Sequence, residues 1–409
     1  MESHLDQGAF ATIRNSFPGA LTGPYLDVAA RGLLYSGGRA AIDAMLDHQA
    51  AGSLDKKAVF AKVEETRALF AALVRATPDE IAFTRNVTDG IAAIAAALPW
   101  QQGDNVVVCE SLEHPANVFP WYGLGPKFGV EVKTAPQDQG AVPLDGIVAA
   151  IDERTRVVTV ATVSFAPGFR APVAELGRHC RDRGVLLVVD AAQSIGILDT
   201  DVTALQVDAL AASTQKGLMA LYGLGFLYVR AALAQTLDPV YLSRFGVDLG
   251  DGHEAASGDA AAYRLATGAR RFDVGNYNYM ATAGVCESIR LLLELGPLEV
   301  EHHVLGLAGR FARRMQEIGL PVYGGAAANN ASHIVTIGAT LGFEHDSSRD
   351  PAMLGLYDHL TANGVRLGIR RDLLRFSFGI YNNDEDIERV VALCRDWMNT
   401  RPALAEQSA

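Results

Sequence analysis

Between residues 80 and 229, short β-rich runs alternate with helical patterns, and no other feature of the sequence limits the fold as strongly. The runs stand at Glu80–Thr84, Asn105–Glu110, Gly129–Thr134, Thr155–Val163, Val185–Val189, Ala209–Ser213 and Gly225–Val229. Helical stretches fall between them at Thr88–Ala97, Pro115–Gly123, Leu144–Ile151 and Pro172–Arg183. Strands that alternate with helices predict an α/β fold, a mostly parallel sheet with helices on both faces. Near residue 284 the texture changes to long helices at Ala283–Leu295 and Leu298–Ile318. Strands at His333–Ile337 and Leu374–Phe378 and a helix at Asp384–Arg395 follow. The expected organisation is a large α/β domain over 19–284 and a smaller α/β domain built from 285–409 together with 1–18.

Within this frame Lys216 stands out. The chain has 29 arginines and six lysines, and Lys216 is the only lysine after Lys133. Arginine stays protonated, whereas a desolvated lysine loses its proton and attacks carbonyls, so a lone lysine in the apolar setting before Gly225–Val229 reads as a Schiff-base nucleophile. In Val188-Val-Asp-Ala-Ala-Gln-Ser-Ile-Gly196, Asp190 closes an apolar strand 26 residues before Lys216, room for one helix and one strand. Both residues are thereby expected at the carboxyl edge of neighbouring strands, where open α/β sheets bind ligands. From position alone Asp190 serves equally well as a helix cap. A lysine for an aldehyde and a carboxylate for a ring nitrogen are together what pyridoxal phosphate needs.

The composition excludes other classes. A net charge of −12 argues against a nucleic-acid partner. No apolar run approaches the roughly 20 residues of a membrane span, and the first residues lack a signal-peptide pattern. Cys109, Cys180, Cys286 and Cys394 are far apart and, with the histidines, form no metal-binding cluster. These features imply reduced thiols, no metal and a cytoplasmic location.

The order and spacing of the motifs resemble the fold-type I pyridoxal-phosphate enzymes, specifically the class V aminotransferase and cysteine-desulfurase-like superfamily. The resemblance implies a large pyridoxal-phosphate domain and a smaller α/β domain. It also implies pyridoxal 5'-phosphate as cofactor and a homodimer with shared active sites. In Phe83-Thr-Arg-Asn-Val-Thr-Asp-Gly-Ile91, Thr88 and the N–H groups of Thr88 and Asp89 match the phosphate loop, although Thr-Asp is also an ordinary helix start. In Glu113-His-Pro-Ala-Asn-Val-Phe-Pro-Trp121, His114 matches the residue that stacks on the cofactor ring. Gln193 matches the partner of the phenolic oxygen, Ser213 a phosphate ligand, and Gln215 the neighbour of the catalytic lysine. Gly275 and Asn276 match a segment that reaches the phosphate of the neighbouring subunit, and could equally form a plain turn.

For the substrate, the resemblance assigns Arg375 to the α-carboxylate, with Ala29 and Asn117 beside it. Strand alternation puts Leu374, Phe376 and Phe378 on one face, and Arg375, Ser377 and Gly379 on an open one. Arg170 is a further candidate for the pocket. Desulfurases carry a nucleophilic cysteine shortly before this arginine; Gly364–Leu374 contains none, which excludes the usual persulfide chemistry. The expected activity is transfer of the α-amino group of a small amino acid, with Lys216, Asp190 and His114 catalytic. The string Ser213-Thr-Gln-Lys-Gly-Leu-Met-Ala220 looks closest to alanine–glyoxylate and serine–pyruvate aminotransferases. The alternatives are a C–S or β-lyase, an amino-acid epimerase, and a catalytically silent binding protein.

Overall fold

The computed structural model describes residues 7–249 and 263–400. The outer ends of the expected smaller domain, 1–6 and 401–409, lie outside the described residues. Seven strands form the central sheet: β1 (Ile81–Thr84), β2 (Asn105–Val108), β3 (Glu131–Thr134), β4 (Thr155–Ala161), β5 (Leu186–Asp190), β6 (Ala209–Ser213) and β7 (Gly225–Val229). Their order is β1-β7-β6-β5-β4-β2-β3, and only β7 runs against the others. Valine-rich strands such as β2 and β5 are buried on both faces, so helices must cover both sides.

A short antiparallel pair, β8 (Val247–Asp248) and β9 (Arg264–Leu265), precedes a second sheet. That sheet consists of β10 (Ile334–Ile337), β11 (Gly368–Arg370) and β12 (Leu373–Ser377), with β12 in the centre. Residues near the N-terminus pack on this C-terminal part. Arg14 forms an ion pair of 2.8 Å with Asp386, and Phe10 stacks on His303. The helix Tyr279–Leu295 runs unbroken through residue 284 and packs on the helices Ser36–Ala50 and Lys56–Leu73.

The expected helix Pro115–Gly123 is instead two short pieces. His114 caps a 3-10 turn at Pro115–Asn117, and a helical turn follows at Phe119–Tyr122. Proline restricts the residue before it and lacks an N–H, so two prolines in this stretch divide it.

Candidate active site

The strands that carry Asp190 and Ser213, and the one that leads to Thr88, end at one edge of the main sheet. β1 and β6 run towards it, and the start of the reversed β7 meets both, with Thr84 and Ser213 each opposite Gly225. Asp190 closes β5 beside Ala161 of β4 and Ala211 of β6. One cavity there is lined by Asn86, Thr88, His114, Phe165, Asp190, Gln193, Ser213, Gln215 and Lys216, among others.

The turn bearing Lys216 is clamped through backbone contacts. The Gly32 N–H donates to the Gln215 carbonyl at 2.8 Å, and the Met219 N–H donates to the Lys216 carbonyl at 2.9 Å. A Cβ on Gly32 would lie 2.2 Å from the Lys216 carbonyl oxygen, and one on Gly196 would lie 2.4 Å from that of Gly217. Glycine is therefore required where these segments close on the lysine turn. Gly32→Val is expected to cost about 2–3 kcal/mol from overpacking. A lowered thermal unfolding midpoint, with weaker cofactor absorbance, would report it.

The Lys216 amine makes no hydrogen bond or ion pair to any described residue. Burial pulls its pKa down to about 8; Asp190 opposes this and the charges of Arg375 and Arg370 reinforce it. In cofactor-free protein, acylation of Lys216 by an amine-directed reagent should thus rise with a midpoint near pH 8. Below the midpoint the ammonium is inert, and above it the free amine reacts. A midpoint near the ordinary lysine value would contradict the desolvation.

Burial pushes the carboxyl of Asp190 above its usual range, against the Ala192 N–H, which donates to Oδ1 at 2.8 Å, and the charge of Lys216. Asp190 therefore does cap the turn that follows it, while remaining in the cavity wall. His114 Nδ1 accepts from the Ala116 N–H at 3.1 Å, which places the ring proton on Nε2. Burial of part of the ring, together with Lys216, His345 and Arg370, pulls its pKa down to about 4, so the ring is neutral at physiological pH.

At the other end of the cavity the helix Val87–Ala97 begins. Asn86 caps it by accepting from the Asp89 N–H at 3.0 Å. That hydrogen bond corrects the expectation for Asp89: its amide is taken, and its carboxylate pairs with Arg85 at 2.8 Å. Thr88 does line the cavity, and Ser213 Oγ is buried there without a partner. Asn86 was missed; an Asn between a strand and an Ala-rich helix was the available signal.

Arg375, the residue expected at the substrate carboxylate, lies on β12. Arg375 is buried, donating to the Phe165 carbonyl at 3.0 Å and to Asp27 Oδ1 at 3.3 Å, and its Nε has no partner. The face expected to be open is covered: the N-terminal segment crosses it, with the Ala29 N–H donating to Ser377 Oγ at 2.9 Å. Gln193 Nε2 donates to the Ala29 carbonyl at 3.0 Å, and its Oε1 is buried and unpartnered. Ala29 is thus placed beside Gln193 by its backbone.

Asn117, expected beside the substrate, faces the interior instead. Its Oδ1 accepts from Trp121 Nε1 and Thr159 Oγ1, and its Nδ2 donates to Glu113 Oε2 at 2.8 Å. Glu113 Oε1 in turn accepts from the Ala161 N–H at 2.7 Å, so this buried pair ties the His114 loop to β4. Arg170 lines a different, larger groove of about 850 Å³ and pairs with Glu301, so it does not reach the site. Gly275 and Asn276 lie outside this cavity. They follow Asp273, which is anchored by Arg67 at 2.8 Å and by the Phe83 N–H. A Cβ on Gly275 would meet the Phe245 ring at 2.2 Å.

All four cysteines are free and buried. Just before Arg375, β11 and β12 are joined by Arg371 and Asp372 alone, both at positive φ. A tight hairpin without a thiol stands there.

Among the described residues Lys216 has no hydrogen-bond or ion-pair partner, and Ser213 Oγ and Gln193 Oε1 are orphaned and buried; all three line one cavity beside a carboxyl and a helix N-terminus. These groups fit pyridoxal 5'-phosphate: Lys216 would hold its aldehyde, Asp190 its ring nitrogen, and Thr88, Ser213 and the helix start its phosphate. Fold and site together define a fold-type I pyridoxal-phosphate enzyme. The family model for aminotransferase class-V matches residues 46–390, and the chain belongs to that family.

A probable cysteine desulfurase of Methanothermobacter thermautotrophicus is 34% identical over 265 residues, which cover 64% of each protein. The uncharacterized aminotransferase YcbU of Bacillus subtilis is 31% identical over 264 residues, 64% of this chain and 68% of that one. The apo cysteine desulfurase of Thermococcus onnurineus superposes with a TM-score of 0.82 at 25% identity, covering 98% of this chain and all of the other. Among the described residues no helix is long and apolar enough to cross a membrane.

Proposed function

We propose that this enzyme is an aminotransferase acting on the α-amino group of a small amino acid. One observation carries the reading. Of the titratable groups lining the cavity, Asp190 and His114 are each held by a backbone N–H, whereas the Lys216 amine is free to take a proton and return it elsewhere. When bound, pyridoxal 5'-phosphate supplies an aldehyde that captures the substrate amine and a pyridinium ring that draws electrons from Cα. With it bound, Asp190 would hold the proton on the ring nitrogen, His114 would pack against the ring, and Gln193 and Gln215 would orient it. Thr88 and Ser213 anchor the phosphate, and Arg375 takes the α-carboxylate beside the Ala29 backbone. Lys216 Nζ moves the proton from Cα.

Gly275 and Asn276 reach the phosphate of a second subunit, making a homodimer with shared sites. The apolar side chains of Val240, Tyr241 and Val274, more than half exposed on that side, support this arrangement. Free buried thiols support a cytoplasmic location. Relatives named as desulfurases favour a second reading, C–S elimination, which the thiol-free hairpin confines to a route without an enzyme persulfide.

The test is a panel of amino donors added to holoenzyme. A transaminase loses its visible absorbance in favour of a near-ultraviolet band and regains it on adding a 2-oxo acid. An unchanged spectrum with released sulfide or pyruvate would establish elimination instead. Solvent deuterium at Cα with loss of optical activity would establish epimerisation. A protein that stays colourless with added pyridoxal phosphate would overturn the enzymatic reading.

A further inference from the structure

A second arginine stands beside Arg375. Arg375 and Arg370 lie on adjacent antiparallel strands, and both guanidinium groups approach Gly368: Arg370 Nη1 and Arg375 Nη2 are each 3.6 Å from where a Gly368 Cβ would stand. They also flank the same wall residue. Arg375 holds the Phe165 carbonyl, while the Phe165 ring lies 6.4 Å from His345, which is bridged to Arg370 through the backbone. On its other side, Phe165 meets His114 edge-on at 5.8 Å.

Arg370 is also under-used. Its Nη1 donates to the Ile369 carbonyl at 2.6 Å and to Asp346, while Nε and Nη2 donate to no described residue. Its neighbour Arg371 is committed to the carbonyls of Gly342 and Ser111. The Arg370 side chain is 18% exposed and its ion-pair partner Asp346 is 68% exposed, so that anion is a solvated and weak competitor for a largely covered cation. The second carboxylate near it, Asp27, is bound to Arg375 at 3.3 Å. The charge of Arg370 is felt at both Lys216 and His114.

Resting on the amino-acid reading above, we infer that the substrate is an α-amino acid with an anionic side chain. Arg375 takes the α-carboxylate and Arg370 takes a carboxylate at the end of the side chain. A planar fork with unengaged N–H groups is suited to that oxyanion. The site therefore discriminates by the number of carboxylates.

Calorimetric binding of unreactive carboxylates to holoenzyme tests this without turnover. Succinate and glutarate are expected to bind at least about 10-fold tighter than propionate and butyrate. Arg370→Gln should remove that preference while leaving the monocarboxylates within about twofold. Asp346→Asn, a change at an exposed loop residue, should tighten dicarboxylate binding severalfold by releasing the guanidinium. Equal binding of the two classes by wild type, preference retained in Arg370→Gln, or no change in Asp346→Asn would each overturn the inference. If the aminotransferase reading alone is wrong, the preference persists while amino donors leave the absorbance unaltered.

Discussion

Lys216→Ala is expected to lower turnover of every amino acid by about 10⁴-fold or more, because it removes both the proposed covalent anchor and, among the described residues, the only unfixed proton carrier lining the cavity. The fold should survive. The amine makes no hydrogen bond to any described residue, and burial already disfavours its charge, so the unfolding midpoint of the cofactor-free variant should match or exceed that of wild type. This pairing of lost activity with retained stability separates a chemical role from a structural one. Small primary amines added to the variant should restore part of the rate by replacing the missing base. A variant that turned over normally would remove Lys216 from the mechanism.

Asp190→Asn is expected to lower kcat by about 10²–10³-fold, the usual scale for removing one preorganised electrostatic partner. The amide oxygen keeps the bond from the Ala192 N–H, so only the charge is lost. Binding of the substrate α-carboxylate, proposed for Arg375, should change little, and KM should shift less than kcat. The sign of the pH effect follows from burial, which raises the carboxyl above its ordinary range in the folded chain. The folded state keeps this proton where the unfolded chain loses it, so stability present at low pH is lost as pH rises through the carboxylate range. Cofactor-free Asp190→Asn should lack that dependence, measured as denaturant midpoint against pH. An unchanged kcat would sink the assignment.

Much of the fold was legible because strand ends carry local signals. β6 and β7 end where the apolar runs do, and Asp190 closes β5 as its position after valines implied. The run expected to reach Glu110 stops at Val108, because Cys109 starts a 3-10 turn at Glu110–Leu112. The helices Ser36–Ala50, Lys56–Leu73 and Pro351–Ala362 were not read from the sequence. The first two bury part of their surface against Tyr279–Leu295, a contact that local periodicity does not reveal.

The site divides in the same way. The sequence by itself determined which groups could meet: a lone lysine beyond one strand, an acid closing its neighbour, a threonine opening a helix, and a histidine after a third strand. Strand alternation and chain order are enough for that, because parallel strands deliver their carboxyl ends to one edge. Only the tertiary structure decided which of them stay available. Asn117 and the Asp89 amide carry the right chemistry, but side chains of Glu113, Trp121, Thr159 and Asn86 take up their hydrogen bonds. Arg375 meets Asp27 across 348 residues, and Arg370 lies beside Arg375 only because a two-residue hairpin folds β11 against β12. Whether a polar group is satisfied depends on segments far apart in the chain, and no local pattern records it.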